Sequence, residues 1–160
     1  MTDCTNNFLA PSGFRVVIDR KNYGSLTMMA QQVTHPQITM QAVELPYRRT
    51  AIALAGDNLQ FSEVSFDFLM DENMVGYSEV YDWMERSVEQ KHKLKGDRDE
   101  VSFYADVEVF VLTSSLNVNK SIKYINCTPT TLGTVTFTST GDTQYITFPV
   151  TFAFDYFTVS

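Results

Sequence analysis

The chain has 160 residues, 44% of them hydrophobic and 13% aromatic, and a formal net charge of −7. Such a length and composition describe one folded domain with a real core and exclude a disordered chain. The acidic balance excludes nonspecific attachment to nucleic acid, which needs basic residues against phosphate, but permits a surface that nucleic acid passes without sticking.

Residues 1–13, with Asn6, Asn7, Pro11 and Gly13, read as an irregular arm. FRVVIDR (Phe14 to Arg20) reads as a strand, Lys21 to Ser25 as a Gly-containing hairpin turn, and Leu26 to Val33 as the returning strand. Gln37 to Leu45 reads as extended between Pro36 and Pro46. LPYRRTAIALAGDNLQF (Leu45 to Phe61) is too small-sided for a core strand and reads as a protruding contact hairpin or an ordinary surface one. Then Val64, Phe66, Phe68 and Met70 alternate with Ser65, Asp67 and Leu69, which predicts a half-buried strand.

The period changes at Met74. Tyr77, Val80, Tyr81, Met84 and Val88 follow at helical spacing, which predicts a helix from Met74 to Gln90 capped by Asp71 or Asn73. Asp82 and Arg86 form a predicted solvent-side pair, and Gly76 lowers helix propensity by about 1 kcal/mol, so packing must hold this helix. A lone helix with one apolar stripe requires a sheet to lie against. Lys91 to Glu100 reads as a charged loop. A long strand from Ser102 to Leu112 places Val101, Phe103, Ala105, Val107, Val109 and Val111 on one side, with Asp106 and Glu108 on the other. Lys120 to Cys127 is a further strand ended by TPTTLG, and Thr134 to Ser139 another, before a turn at Thr140, Gly141 and Asp142. The last strand puts Ile146, Phe148, Val150, Phe152, Phe154 and Tyr156 on one face; Asp155 and Phe157 fall on the other, Phe157 as a candidate contact. The fold class is mainly β: an antiparallel sandwich or barrel with one flanking helix.

Chemistry is scarce. His35 and His92 have no Cys, His or carboxylate at metal-ligand spacing, and Cys127 has no neighbouring base. Cys4 and Cys127 are too few for a disulfide framework and read as unpaired thiols. No nucleophile elbow, phosphate loop or dinucleotide fingerprint occurs, so neither catalysis, metal nor cofactor is expected. MTDCTNNFLAPSG is no export signal and no apolar run approaches the ~20 residues of a membrane span, so a soluble, unexported protein is expected.

The order of these segments resembles the tail tube protein family of contractile-tailed, T4-like phages, which is related to type VI secretion tube proteins. The resemblance runs from Phe14 to the C-terminus. It rests on FRVVIDR, on LPYRRTAIALAGDNLQFSEVSFDFLMDENMVGYSEVYDWM, and on the closing hairpin with Pro129, Thr130, Leu132 and Gly133 before Asp155, Tyr156 and Phe157. Cys127 and Thr128 stand where the family usually has an aromatic residue. The resemblance implies a single tail-tube domain over residues 1–160. Six copies would close their sheets edge to edge into a ring-shaped barrel, and rings would stack into a tube that conducts DNA from capsid to host. Glu44 to Phe61 would be the inter-ring loop, with Arg48, Arg49, Ala51, Ile52, Leu54 and Asp57 as contacts. Asp106, Glu108 and Asp155 are the candidates for an acidic channel wall, by alternation, although either strand face fits. Implied partners are other copies, the sheath, a baseplate initiator and a tail terminator, in a virion tail assembled in the host cytoplasm. A baseplate tube initiator, a secretion tube carrying effectors and a monomeric ligand-binding sandwich are the other readings.

Overall fold

Alternation decides which face of each strand is buried. The computed structural model describes residues 8–18, 23, 26, 29–92, 104–139 and 145–160. In it, β1 (Phe14–Ile18) and β2 (Ala30–Thr34) are followed by β3 (Ile38–Met40), β4 (Val43–Tyr47), β5 (Thr50–Leu54), β6 (Leu59–Phe61) and β7 (Val64–Leu69). The helix α1 (Val75–His92) leads to β8 (Ala105–Leu112), β9 (Val118–Leu132), β10 (Thr147–Ala153) and β11 (Tyr156–Val159). All strand pairs are antiparallel. One sheet runs β1-β8-β9-β11 and the other β9-β10-β7-β2, so β9 belongs to both. The monomer is an open sandwich, not a closed barrel.

Between the sheets lie Val16 and Ile18 from β1, Val64, Phe66 and Phe68 from β7, Val107 and Val109 from β8, and Phe148, Val150 and Phe152 from β10. The β7 and β8 alternations therefore fall as the sequence predicts. The predicted turn at Lys21 to Ser25 lies outside the described residues, apart from Tyr23, which is buried. Also outside lie Cys4, the Val101 to Phe103 start of the β8 segment, the loop after His92 and the turn at Thr140 to Asp142.

Six expectations need correction. Leu26 and Met29 are helical, so the strand predicted from Leu26 begins only at Ala30. On α1 the buried stripe is Gly76, Val80, Trp83 and Ser87, while Tyr81 (54% exposed) and Val88 (59%) face outward. Positions 76, 80, 83 and 87 make one continuous stripe, which Trp83 dominates by size, and Tyr81 and Val88 fall to its side. The Asp82–Arg86 pair gives way to a different contact: Arg86 Nη2 donates to Tyr23 Oη at 3.1 Å, and Tyr23 stacks on Trp83 at 4.1 Å. Strand β9 does not end at Cys127 but continues through Pro129, which is tolerated because the β9–β10 register shifts beside it. Beyond it Gly133 N donates to Pro149 O, the chain leaves β10, and Thr134–Ser139 forms no strand.

The last correction concerns the C-terminal strand. It breaks at Phe154 and Asp155, where the chain leaves β10 and rejoins β9 in the other sheet as β11. That corner flips the alternation: Tyr156 is exposed and Phe157 packs on the core. Of the two predicted caps the chain uses Asp71, whose Oδ1 accepts from Val75 N at 2.9 Å. Gly76 sits on the packing face, where an added Cβ would meet Leu26 Cδ2 at 3.4 Å and Phe148 Cζ at 3.5 Å, ordinary contacts, so the packing there does not demand glycine.

Trp83→Ala should cost about 3–5 kcal/mol in urea unfolding, as for other large buried aromatics, while Tyr81→Ala should stay within about 0.5 kcal/mol. Equal losses would contradict the stripe.

Candidate functional site: a hairpin and an open sheet face

The ladder between β2 and β7 does not stop at the sandwich. It continues outward as β3 with β6 and then β4 with β5, a two-stranded ribbon joined at its root by Ser62 N donating to Gln37 O (3.0 Å) and Gln37 N to Ser62 Oγ (2.8 Å). Gly56 lies against the Gln41 carbonyl with no room for a Cβ, which keeps the two strands together. Arg48 and Arg49 form the two-residue tip, and Arg48 closes it at a φ of 55°. A primed turn of this kind matches strand twist but normally uses Gly or Asn. The Arg48 guanidinium lies 5.5 Å over the Tyr47 ring.

The register Val43↔Leu54, Leu45↔Ile52 and Tyr47↔Thr50 places five large apolar side chains on one face of the ribbon. Each is 44–57% exposed. Of the residues predicted as contacts, Ile52 and Leu54 belong to this face, Ala51 to the opposite one, and Asp57 to the bend between β5 and β6. All are exposed, with Arg48 and Arg49. Val43, Leu45 and Tyr47 were missed. Their signal is the period-two alternation that continues across Pro46 and mirrors Ile52 and Leu54.

The β1-β8-β9-β11 sheet buries one face and leaves the other open. Cross-strand neighbours on the open face include Val17 and Glu108, Arg15 and Phe110, Glu108 and Lys123, Lys123 and Thr158, and Ile125 and Tyr156. Asp106 and Glu108 therefore share a face, as predicted, and with Val17, Tyr104 and Lys123 they line a shallow recess of about 490 Å³. Two cations join them. Lys123 Nζ lies 2.8 Å from Asp106 Oδ2, and the Arg15 guanidinium lies 5.1 Å over the Phe110 ring. Burial acts to raise the Asp106 carboxyl, but the Lys123 hydrogen bond, the Asn126 amide and the Lys123 charge outweigh it and hold the carboxyl below its usual value. The hydrogen bond and charge of Asp106 raise Lys123 in turn. Asp155 sits at the β10–β11 corner, where Oδ2 accepts from Asn126 Nδ2 at 2.7 Å. Asn126 N donates to Asp106 Oδ1 at 3.2 Å, so the two predicted wall carboxylates meet through one asparagine.

At the root of the ribbon an aromatic hub forms. His35 Nδ1 lies 2.7 Å from Tyr124 Oη, the His35 ring meets Phe157 edge-on at 5.0 Å, and Phe61 contacts Phe154 and Phe157. Beside the hub is an apolar notch of about 460 Å³, between residues 9–14, β2 and the Val109, Val111 and Ile122 side chains. Cys127 is a buried free thiol that burial pushes up to about 12, so it is no nucleophile at neutral pH. Among the described residues no group of three His, Cys, Asp or Glu side chains is placed to hold a metal ion, and no helix is long and apolar enough to cross a membrane.

The family model described as phage tail tube protein matches residues 6–160. The chain belongs to the phage tail tube protein family. No curated protein sequence matches it. Among solved structures, this tail tube protein is similar to a chain of the PVC sheath–tube complex of an extracellular contractile injection system, with a TM-score of 0.68 at 14% identity over 98% of this chain and 93% of that one. It is also similar to a chain of the tube-terminating cap of the anti-feeding prophage, with a TM-score of 0.65 at 14% identity over 100% and 99% of the two chains. A type six secretion system protein gives a TM-score of 0.52 at 9% identity over 91% and 81%. At these identities the likeness is one of fold. Tube proteins of this family are structural, and the tail tube protein is accordingly a tube subunit.

The Asp106 geometry is testable. A carboxyl held low contributes stability that is present above its ordinary value of 3.8 and is lost as pH falls through the depressed one. Lys123→Met should move the Asp106 titration, followed by carbon-detected NMR, up toward or past the ordinary value. An unmoved midpoint would show that Lys123 does not hold the carboxylate.

Proposed function

We propose that the tail tube protein forms six-membered rings that stack into a hollow tube and conduct DNA from capsid to host cell. The observation that carries this reading is the sheet β1-β8-β9-β11, which among the described residues ends in β1 on one side and β11 on the other. With four antiparallel strands, β1 and β11 run in opposite directions, so β11 of one copy can continue the antiparallel pattern on β1 of the next. An odd number of strands would break that pattern at every junction. Closing the circle pairs both edges of this sheet and removes the aggregation hazard that they would carry if free. The buried face already packs on the second sheet and the helix, so the open face with Asp106, Glu108 and Lys123 turns to the lumen. The helix then lies on the outside.

The ribbon supplies stacking. Its apolar face and its Arg48–Arg49 tip are exposed, and contact with the next ring would cover them. Residues 1–13 are the second candidate for that contact. Fold-level likeness to chains from a sheath–tube complex, a baseplate and a tube cap supports partners of those three kinds. A virion tail assembled in the host cytoplasm follows from the same reading.

One observation favours a second reading, a secretion or injection tube with protein cargo. The open face carries Arg15 and Lys123 beside Asp106 and Glu108, so it is not the uniformly acidic wall that best slides past phosphate.

Two substitutions test these roles. Arg48→Glu with Arg49→Glu should leave urea unfolding within about 0.5 kcal/mol and suppress tubes in sedimentation velocity; unaltered tube formation would refute the contact. Glu108→Lys should leave tubes intact and slow DNA delivery in an infectivity assay, whereas normal infectivity would count against a DNA-facing Glu108.

A further inference from the structure

The hub at the ribbon's root holds His35, and among the described residues its ring contacts offer no counter-charge. His35 stands between β2 and β3, where the sandwich gives way to the ribbon. Its imidazole meets Tyr124 of β9 and Phe157 of β11. Phe61, which ends the returning strand β6, packs on Phe154 and Phe157, so both strands of the ribbon are anchored in one set of rings. Tyr124 in turn packs on Phe154 and Phe157.

The groups facing His35 can be named from each element. β9 presents Tyr124 Oη, β11 the Phe157 ring, and the adjoining notch is lined by Leu9, Ala10, Pro11, Gln31, Gln32 and Val33 with the valines of β8. None is charged. Burial pushes the Tyr124 hydroxyl far above its ordinary value, so it stays neutral. A neutral imidazole can accept the Tyr124 proton at Nδ1, whereas a protonated one can only donate, so the Tyr124 hydroxyl would have to turn and accept instead.

We propose that His35 is a proton-sensitive latch for the ribbon: its neutral imidazole closes the hub with Tyr124 and Phe157, and a proton loosens the hub and weakens the ribbon's contact with a second copy. The assembly part rests on the stacking role proposed above; the latch itself is a property of the monomer. His35 is exposed overall, and the partial desolvation of its ring works in the same direction, lowering its pKa below the ordinary 6.5. The sign follows: the unfolded or unlatched chain binds the proton more readily, so latching is complete above about pH 6.5 and fades as pH falls through the lowered midpoint.

The test uses the full chain with His92→Gln, which leaves His35 as the single histidine of the two in the sequence. NMR of the monomer should show His35 titrating below 6.5, with the amides of Ile38–Met40 and Leu59–Phe61 moving at the same midpoint. The concentration for half-maximal tube formation should then rise several-fold from about pH 7.5 to about 5.5, within the limit of tenfold per pH unit for one linked proton. His35→Gln should abolish that dependence. Ribbon amides that stay still while His35 titrates, or a His35→Gln protein with unchanged pH dependence, would overturn the latch. If no tubes form at any pH, the stacking role fails and the monomer titration alone decides the latch.

Discussion

Strand β9 and the corner at its middle set the rest of the molecule. β9 pairs with β8 and β11 in one sheet and with β10 in the other, so both sheets take their position from it. A strand that serves two sheets must bend, and the bend falls at Asn126, whose φ of 55° is unusual for any residue but well tolerated by asparagine. Asp106 accepts from its backbone amide and Asp155 from its side-chain amide, so the first turn of β8 and the β10–β11 corner are tied to the same residue. The carboxylates that alternation assigns to a channel wall thus have a structural task as well. Glu108, without such a tie, is the cleaner representative of the open face.

From that corner the two assembly features follow. Because β9 carries β11 on the side away from β8, the first sheet has four described strands, with β1 and β11 at its ends. Because β10 leads to β7 and β2, the second sheet ends in the ladder that runs on into the ribbon. The hub of His35, Phe61, Tyr124, Phe154 and Phe157 joins the two at the ribbon's root. The same rings thus touch the ribbon and β9 and β11, two strands of the open-faced sheet.

Much of this was legible in the chain. The alternations Val64-Phe66-Phe68 and Val107-Val109 predict their buried faces because both strands are long, regular and half-buried. The Leu45–Phe61 hairpin is legible from its small, mixed composition, but its turn is not: Gly56-Asp57-Asn58 reads as the turn, whereas the chain reverses at Arg48-Arg49. The helix is legible in existence but not in rotation: Tyr81 and Val88 compete with Trp83 for the stripe, and packing on Tyr23, distant in sequence, decides it. Strand β9 reads as ending at Thr128-Pro129 because proline and threonines usually close a strand, whereas here a register shift accommodates them. The C-terminal alternation Phe152-Phe154-Tyr156 looks continuous, and no local signal marks the change of sheet at Asp155. Lys123 and Arg15 were invisible as neighbours of Asp106 and Phe110 because cross-strand register is not written in any one strand.

The central claim is that the free ends of the four-stranded sheet meet between copies and close a ring. Electron microscopy of the purified protein over a range of concentrations, with and without preformed tube ends as seeds, tests it most directly. The account predicts six-fold hollow rings or tubes whose inner wall is a continuous antiparallel barrel with β1 beside β11 of the neighbour. Particles that remain single copies under both conditions, or rings joined through other strands, would contradict it.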